Sequence, residues 1–171
     1  MPEEIIGLGT EADPWSIKLA TKRGRWIKNA RRNEMSPTLL RAAEKLSRGT
    51  FSGLSLRSIS NTYDCVGMVF GSRRTWIDTD QLALIFEDDG YIEVKDRAEV
   101  WIGDVIIYRK GREVTHVGLV IGKSFNQEGK SQRFMILSKW GAGGEYIHHE
   151  DAVMEMHLGD VHEFYTERKA V

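Results

Sequence analysis

A single cysteine, Cys65, stands in 171 residues, so no intrachain disulfide framework holds this chain together. Proline is nearly as scarce: Pro2, Pro14 and Pro37 are the only three, and nothing beyond Pro37 removes a ladder donor from a strand. No apolar run approaches a signal-peptide core or a membrane span, and the start Met1-Pro2-Glu3-Glu4-Ile5-Ile6 is acidic. These features predict no transmembrane segment and a protein that is cytoplasmic, or exported without a conventional signal peptide. Internal repeats and low-complexity tracts are lacking. The one glycine cluster, Gly141-Ala142-Gly143-Gly144, lacks the Lys-Ser/Thr that a nucleotide-binding loop needs.

Excess charge is lacking overall but not locally. The net charge is −1, yet residues 18–57 carry eleven Lys or Arg against two Glu, while the flanks are acidic at −4 for 1–17 and −6 for 58–171. This asymmetry suggests an anionic partner for the basic segment 18–57, or an internal contact with the acidic remainder.

Apolar residues make up 41% of the chain, enough to build the core of one domain. Met1–Pro14 reads as an irregular arm. Residues 15–32 are basic, with Trp15, Ile17, Leu19, Trp26 and Ile27 as anchors and room for a short helix. Ser36-Pro37-Thr38 is a start signal for a helix Thr38–Leu46 that would place Leu39, Leu40, Ala43 and Leu46 on one face, with Gly49 as its stop. Its Arg41, Lys45 and Arg48 fit a solvated face. A helix is expected over Asp64–Thr75 and another from Asp78 through Phe86, ended by Asp88-Asp89-Gly90. After Gly90 the pattern turns to strands: 91–94, 104–108, 116–121, 134–139, 152–157 and 163–166, with Lys110-Gly111-Arg112 as a hairpin turn. Helices first and strands later predict an α+β fold, with residues 1–57 packed as an N-terminal arm and basic helical segment on a core spanning 58–171.

The string Asn61-Thr62-Tyr63-Asp64-Cys65 leads from capping-type residues into Val66, Val69 and Phe70, an apolar helix stripe. Cys65 would then lie in a first helical turn, where unpaired amides lower a thiol pKa and can stabilise an oxyanion. Gly67 would leave room for a substrate backbone. A free cysteine is equally well a small buried hydrophobe. His116 opens His116-Val117-Gly118-Leu119-Val120-Ile121, whose alternation puts His116, Gly118 and Val120 on one face and the rest on the other. Gly118 would leave room for a partner. A strand-mounted imidazole beside a helix-mounted thiol suits nucleophilic catalysis, although a strand-start histidine can also be merely structural.

Three ordered stretches carry a resemblance. Asp64-Cys65-Val66-Gly67-Met68-Val69 resembles the Asp-Cys-Ser-Gly-Leu-Val stretch of NlpC-type cell-wall endopeptidases, Gly103-Asp104-Val105-Ile106-Ile107-Tyr108 their Gly-Asp-Leu-Val-Phe-Phe strand, and His116–Gly122 their His-Val-Gly-Ile-Tyr-Ile-Gly. The related cysteine, histidine-dependent amidohydrolase (CHAP) domains are similar too. The likeness spans residues 58–141. It implies a papain-like fold with N-terminal helices packed on an antiparallel sheet, Cys65 as nucleophile, His116 as general base, no cofactor, and amide hydrolysis through an acyl-enzyme on a peptide or peptidoglycan-like substrate.

Those families orient the histidine with a polar residue on the next strand, commonly His, Glu or Asn. Here Arg133-Phe134-Met135-Ile136-Leu137-Ser138-Lys139 offers none, and Ser138 is the residue able to accept from an imidazole N–H; otherwise Cys65 and His116 act as a dyad. Trp140 is placed to line the groove, with 141–144 as its rim, whereas Trp76 and Trp101 fit core or interface positions. Tyr63 and Asp64 could contact substrate amides, and Asp64 could equally be a helix cap. His148, His149, His157 and His162 lie among acidic residues at spacings that match no compact zinc pattern, so 145–155 reads as a solvated acidic segment and no metal is expected. Three functions follow: a thiol hydrolase, a thiol acyltransferase or deamidase on the same fold, and a non-enzymatic module that binds an anionic polymer through 18–57.

Overall fold

The computed structural model describes residues 16–51, 53–125, 127–129, 131–141 and 143–168. The expected arm at 1–14 and the anchor Trp15 lie outside the described residues. The fold is α+β. One seven-stranded antiparallel sheet contains β1 (Ser55–Ile59), β2 (Ile92–Val94), β3 (Val105–Lys110), β4 (Glu113–Phe125), β5 (Ser131–Lys139), β6 (Gly144–His149) and β7 (Val161–Thr166), in the order β1-β6-β5-β4-β3-β7-β2. The hairpin at 110–112 forms as the turn chemistry predicts: Gly111 takes φ 59°, and Lys110 pairs with Glu113.

Two strands escape the hydrophobic pattern. β1 reads Ser-Leu-Arg-Ser-Ile, and β6 carries Glu145, His148 and His149. The expectation of a solvated acidic segment at 145–155 is overturned, because Glu145, His148 and Glu150 are buried. Charge can be buried there because each carboxylate is paired. Glu145 takes the Tyr63 hydroxyl at 2.9 Å and the Arg73 guanidinium at 2.8 and 3.1 Å. Glu150 takes both Arg97 terminal nitrogens at 2.8 and 2.9 Å and the Phe134 amide at 3.0 Å. The strand expected over 152–157 is instead a short helix, α4 (Ala152–Glu155), closed by Leu158 N–H to the Val153 carbonyl and by His157 at φ 58°.

Helix α1 (Pro37–Thr50) starts where predicted, with Pro37 at its head and the Ser36 hydroxyl accepting from the Leu39 amide. Its burial differs from the expected stripe: Leu39 and Leu46 are 59% and 71% exposed, while Ser47 is buried. Helix α2 (Cys65–Phe70) is shorter than expected, because Gly71 closes it with an N–H to the Gly67 carbonyl. Helix α3 (Leu82–Asp89) follows a 3-10 turn at 79–81 and ends on Gly90 at φ 80°. The basic segment 16–32 forms no helix. It runs extended through single bridges Ala20↔Trp26 and Ala30↔Trp76, and its charges find acids on α3, with Arg25 bonded to Asp88 and Glu87 and the Lys22 amide to Asp89 at 2.7 Å.

The sheet separates two cores. On one face Val105, Ile107 and Val117 pack with Val66 of α2 and with Ile85 of α3, continued by Leu137 under Met68 and Tyr63. On the other, Ile106, Tyr108, Val120, Ile136, Trp140 and Tyr146 form the second cluster with Val153 of α4. Gly118 is required by close packing rather than by a substrate: a Cβ there would stand 2.6 Å from Ile136 Cγ2 and 3.1 Å from Ser138 Cβ. Gly67 likewise faces its own chain, with a Cβ placed 1.8 Å from the Thr75 carbonyl oxygen. Gly67→Ala must therefore push apart α2 and the loop after it, and should cost about 2 to 4 kcal/mol in urea unfolding, at or above the usual range for overpacking. A loss below about 0.5 kcal/mol would show that the contact yields freely.

Candidate active site

Cys65 is the first residue of α2. Asp64 caps the helix, accepting from the Gly67 amide at 2.7 Å and from the Ile77 amide at 3.2 Å. The cap fixes where the sulfur goes. Val120 spends both its N–H and its carbonyl on the β3 side, with Asp104 and Gly103, so by alternation Val117 turns its backbone toward β5. The ladder with β5 ends at Gly118↔Ser138, so Val117 is not paired with a β5 residue. The Val117 N–H, with those of Val66 and Cys65, is directed at the Cys65 sulfur and favours its thiolate.

Those amides do not prevail. Cys65 retains some exposure as a residue, but its thiol sits among the apolar side chains around Val117. Burial, followed by the Asp64 carboxylate, pushes the thiol up to about 12. A depressed thiol pKa is what a helix start alone suggests; here desolvation exceeds it.

His116 is the residue before Val117 and projects to the opposite face. Its ring stands 5.8 Å from Tyr108 and 5.8 Å, edge-on, from Trp140. Burial, with a smaller contribution from His148, pulls the imidazole down to about 3, so it is neutral at physiological pH. His116 Nε2 is buried and has no hydrogen-bond partner among the described residues. The thiol and the imidazole thus lie on opposite faces of the sheet, and no hydrogen bond joins them. On its own side His116 lines a cleft of about 500 Å³ with Phe51, Thr115, Trp140 and His157.

Ser138 bonds neither group. It lies at the centre of a chain whose direction is fixed by its ends: Trp140 Nε1 can only donate, and does so to Ser138 Oγ at 2.8 Å, while the His149 carbonyl can only accept, and does so from His148 Nδ1 at 2.7 Å. The Ser138 hydroxyl therefore donates to His148 Nε2 at 2.7 Å, and His148 is neutral, in keeping with burial lowering its pKa. The network locks Trp140 against His116. Ser138→Ala would leave the indole N–H and His148 Nε2 both unpartnered, and should cost about 2 to 3 kcal/mol in urea unfolding. A change under about 0.5 kcal/mol would mean that water replaces the hydroxyl at no cost.

The remaining predicted residues fall on both sides of the sheet. Trp140 lines the His116 cleft. Tyr63 is buried, with its hydroxyl spent on Glu145, and Asp64 is the α2 cap. Trp76 stacks under Arg32, whereas Trp101 is 58% exposed. Two residues outside the predicted site, His148 and Lys139, gain importance. His148 becomes visible only once β6 is paired with β5. Lys139 is fully buried on the α2 side, donates to the Gly141 and Gly143 carbonyls at 2.7 Å each, and is brought down to about 8 by burial. Among the described residues no group of three His, Cys, Asp or Glu is placed to hold a metal ion, and no helix is long and apolar enough to cross a membrane.

No curated protein and no solved structure matches the chain. One family model does, over residues 55–166, which runs from the first strand of the sheet to the last and takes in Cys65, His116, Ser138 and Trp140. The chain belongs to the family described as a domain of unknown function, DUF7689.

Proposed function

We propose that this protein is a papain-like thiol hydrolase that cleaves an amide bond through an acyl-enzyme. One observation carries the reading: the backbone amide of Val117, one residue from His116, is directed at the Cys65 sulfur at the start of α2. The packing of the helix start against the strand that carries His116 supports the reading, and the resemblance to NlpC-type and CHAP enzymes supplies its chemistry.

Both groups rest uncharged. In the proposed reaction the His116 ring turns from its resting face of β4 to the α2 side, and the Cys65 thiol attacks the substrate carbonyl carbon while the unprotonated imidazole nitrogen takes the thiol proton. The carbonyl oxygen gains negative charge near the amides of the α2 start, whose Cys65 and Val66 N–H groups already face the sulfur. The C–N bond breaks as His116 returns that proton to the leaving amine, and water then attacks the thioester with His116 again as base. A neutral thiol and imidazole give a reaction whose kcat/KM is flat from about pH 5 to 9, rather than the bell of a thiolate–imidazolium pair.

Peptide stems of cell-wall polymer are the substrate proposed through the family likeness. Zymography on purified cell wall tests it: the native protein should clear the wall, and Cys65→Ala and His116→Ala should not. Clearing by both variants alike removes the thiol mechanism.

A further inference from the structure

A cluster of arginines lies outside the proposed catalytic residues. A cleft of about 640 Å³ is lined by Arg31, Arg32, Arg73 and Arg74 with Thr62, against the single carboxylate of Glu34. Several other arginines are closed on acids: Arg25 on Asp88, Arg97 on Glu150, Arg109 on Glu163 and Arg168 on Asp104. Arg31, Arg32 and Arg74 have no carboxylate within ion-pair distance among the described residues.

Arg32 and Arg74 are held by devices that leave their charge free. Arg32 lies 3.6 Å over the Trp76 ring, and that ring is fixed by its Nε1–H to the Asn61 carbonyl at 2.8 Å. Arg73 and the preceding Ser72 both adopt left-handed backbone, at φ 61° and 53°, which non-glycine residues avoid. The Arg73 amide to the Gly67 carbonyl at 3.1 Å and its two bonds to buried Glu145 hold that turn, which presents Arg74 to the cleft.

We propose that this cleft is a binding site for a phosphoryl group carrying two or more negative charges. Guanidinium forks match phosphate oxygens, and a single carboxylate would leave most of this charge unmet. Among the described residues Trp76, the indole beside the cleft, already carries Arg32 over its ring, and residues 58–171 are acidic overall; both disfavour nucleic acid. The site is separate from the thiol chemistry, so its test reads binding alone.

Isothermal titration of the full chain at low ionic strength should show saturable one-to-one binding of pyrophosphate or of a phosphoserine peptide. The first without the second identifies a free phosphate ligand, the reverse a phosphorylated chain, and either supports the site. Arg31→Gln with Arg74→Gln should weaken binding at least tenfold. Arg112→Gln, an equally unpaired arginine on the β3–β4 turn, and Cys65→Ala should each change Kd less than twofold. Absence of saturable binding of either probe, equal losses in Arg112→Gln, or citrate binding as tightly as pyrophosphate would overturn the assignment.

Discussion

At pH 7.5 iodoacetamide should modify Cys65 about a hundredfold more slowly than it modifies a cysteine in an unfolded peptide. The thiol is pushed up to about 12, against an ordinary value near 8.5, which lowers the thiolate fraction by about three and a half orders of magnitude. A more basic thiolate is more nucleophilic, and a Brønsted slope of about 0.4 to 0.5 returns roughly one and a half of those orders. Denaturant should restore the peptide rate. The expected His116→Ala result separates catalysis from simple reactivity. Iodoacetamide reacts with thiolate already present, so this labelling should change only a few-fold, whereas amide turnover, which needs the imidazole to take the thiol proton, should fall by about a hundredfold or more. Rapid labelling of the native protein at pH 7.5 would show that the amides at the α2 start outweigh burial, contrary to the packing around Val117.

Cys65, His116 and the hairpin at Gly111 were legible because each is marked by local chemistry: capping residues before an apolar stripe, a strand of strict alternation, a glycine flanked by charged residues. β6 was not, because its burial of Glu145 depends on Arg73, 72 residues away, and on the hydroxyl of Tyr63. A polar segment becomes a strand when its charges are met by distant partners, and no local pattern encodes the partner. The α1 stripe failed for the complementary reason: Leu39 and Leu46 have helical spacing, yet the helix turns Ser47 inward. For Ser138, donor and acceptor chemistry was read correctly, but the partner it would choose was not. Strand register decides that: Ser138 pairs with Gly118 and sits diagonally from His148, while His116 lies beyond the end of β5. The separation of thiol and imidazole by the plane of the sheet is also a consequence of register, since adjacent residues of β4 face opposite ways.

Acid should begin to destabilise this protein well before its carboxylates are neutralised. His116 is pulled from an ordinary 6.5 to about 3 by burial, and His148 is lowered by the same cause. Between those limits the unfolded chain binds a proton at His116 that the native state refuses, so stability rises with pH through this window and is lost as pH falls from about 6.5 toward 3. The slope is about 1.4 kcal/mol per pH unit for each such histidine, so His116 alone removes about 4 to 5 kcal/mol by pH 3, much of the 5 to 15 typical of a domain. Glu150, held at about 2 against an ordinary 4.5 by His162, Arg97 and the Phe134 amide, adds to the loss only below about pH 4.5. Urea unfolding at pH 7, 6, 5 and 4.5 therefore separates the histidines from the carboxylate. The wild-type slope should exceed that of a single histidine between pH 6 and 5, and His116→Phe, which keeps an apolar ring beside Tyr108 and Trp140, should lower it by about one proton. If His116→Phe does not fold, the imidazole titration read by NMR in the native protein decides the same point: a His116 resonance that titrates near 6.5 would show that the ring reaches water, and the neutral base assigned to it would be lost.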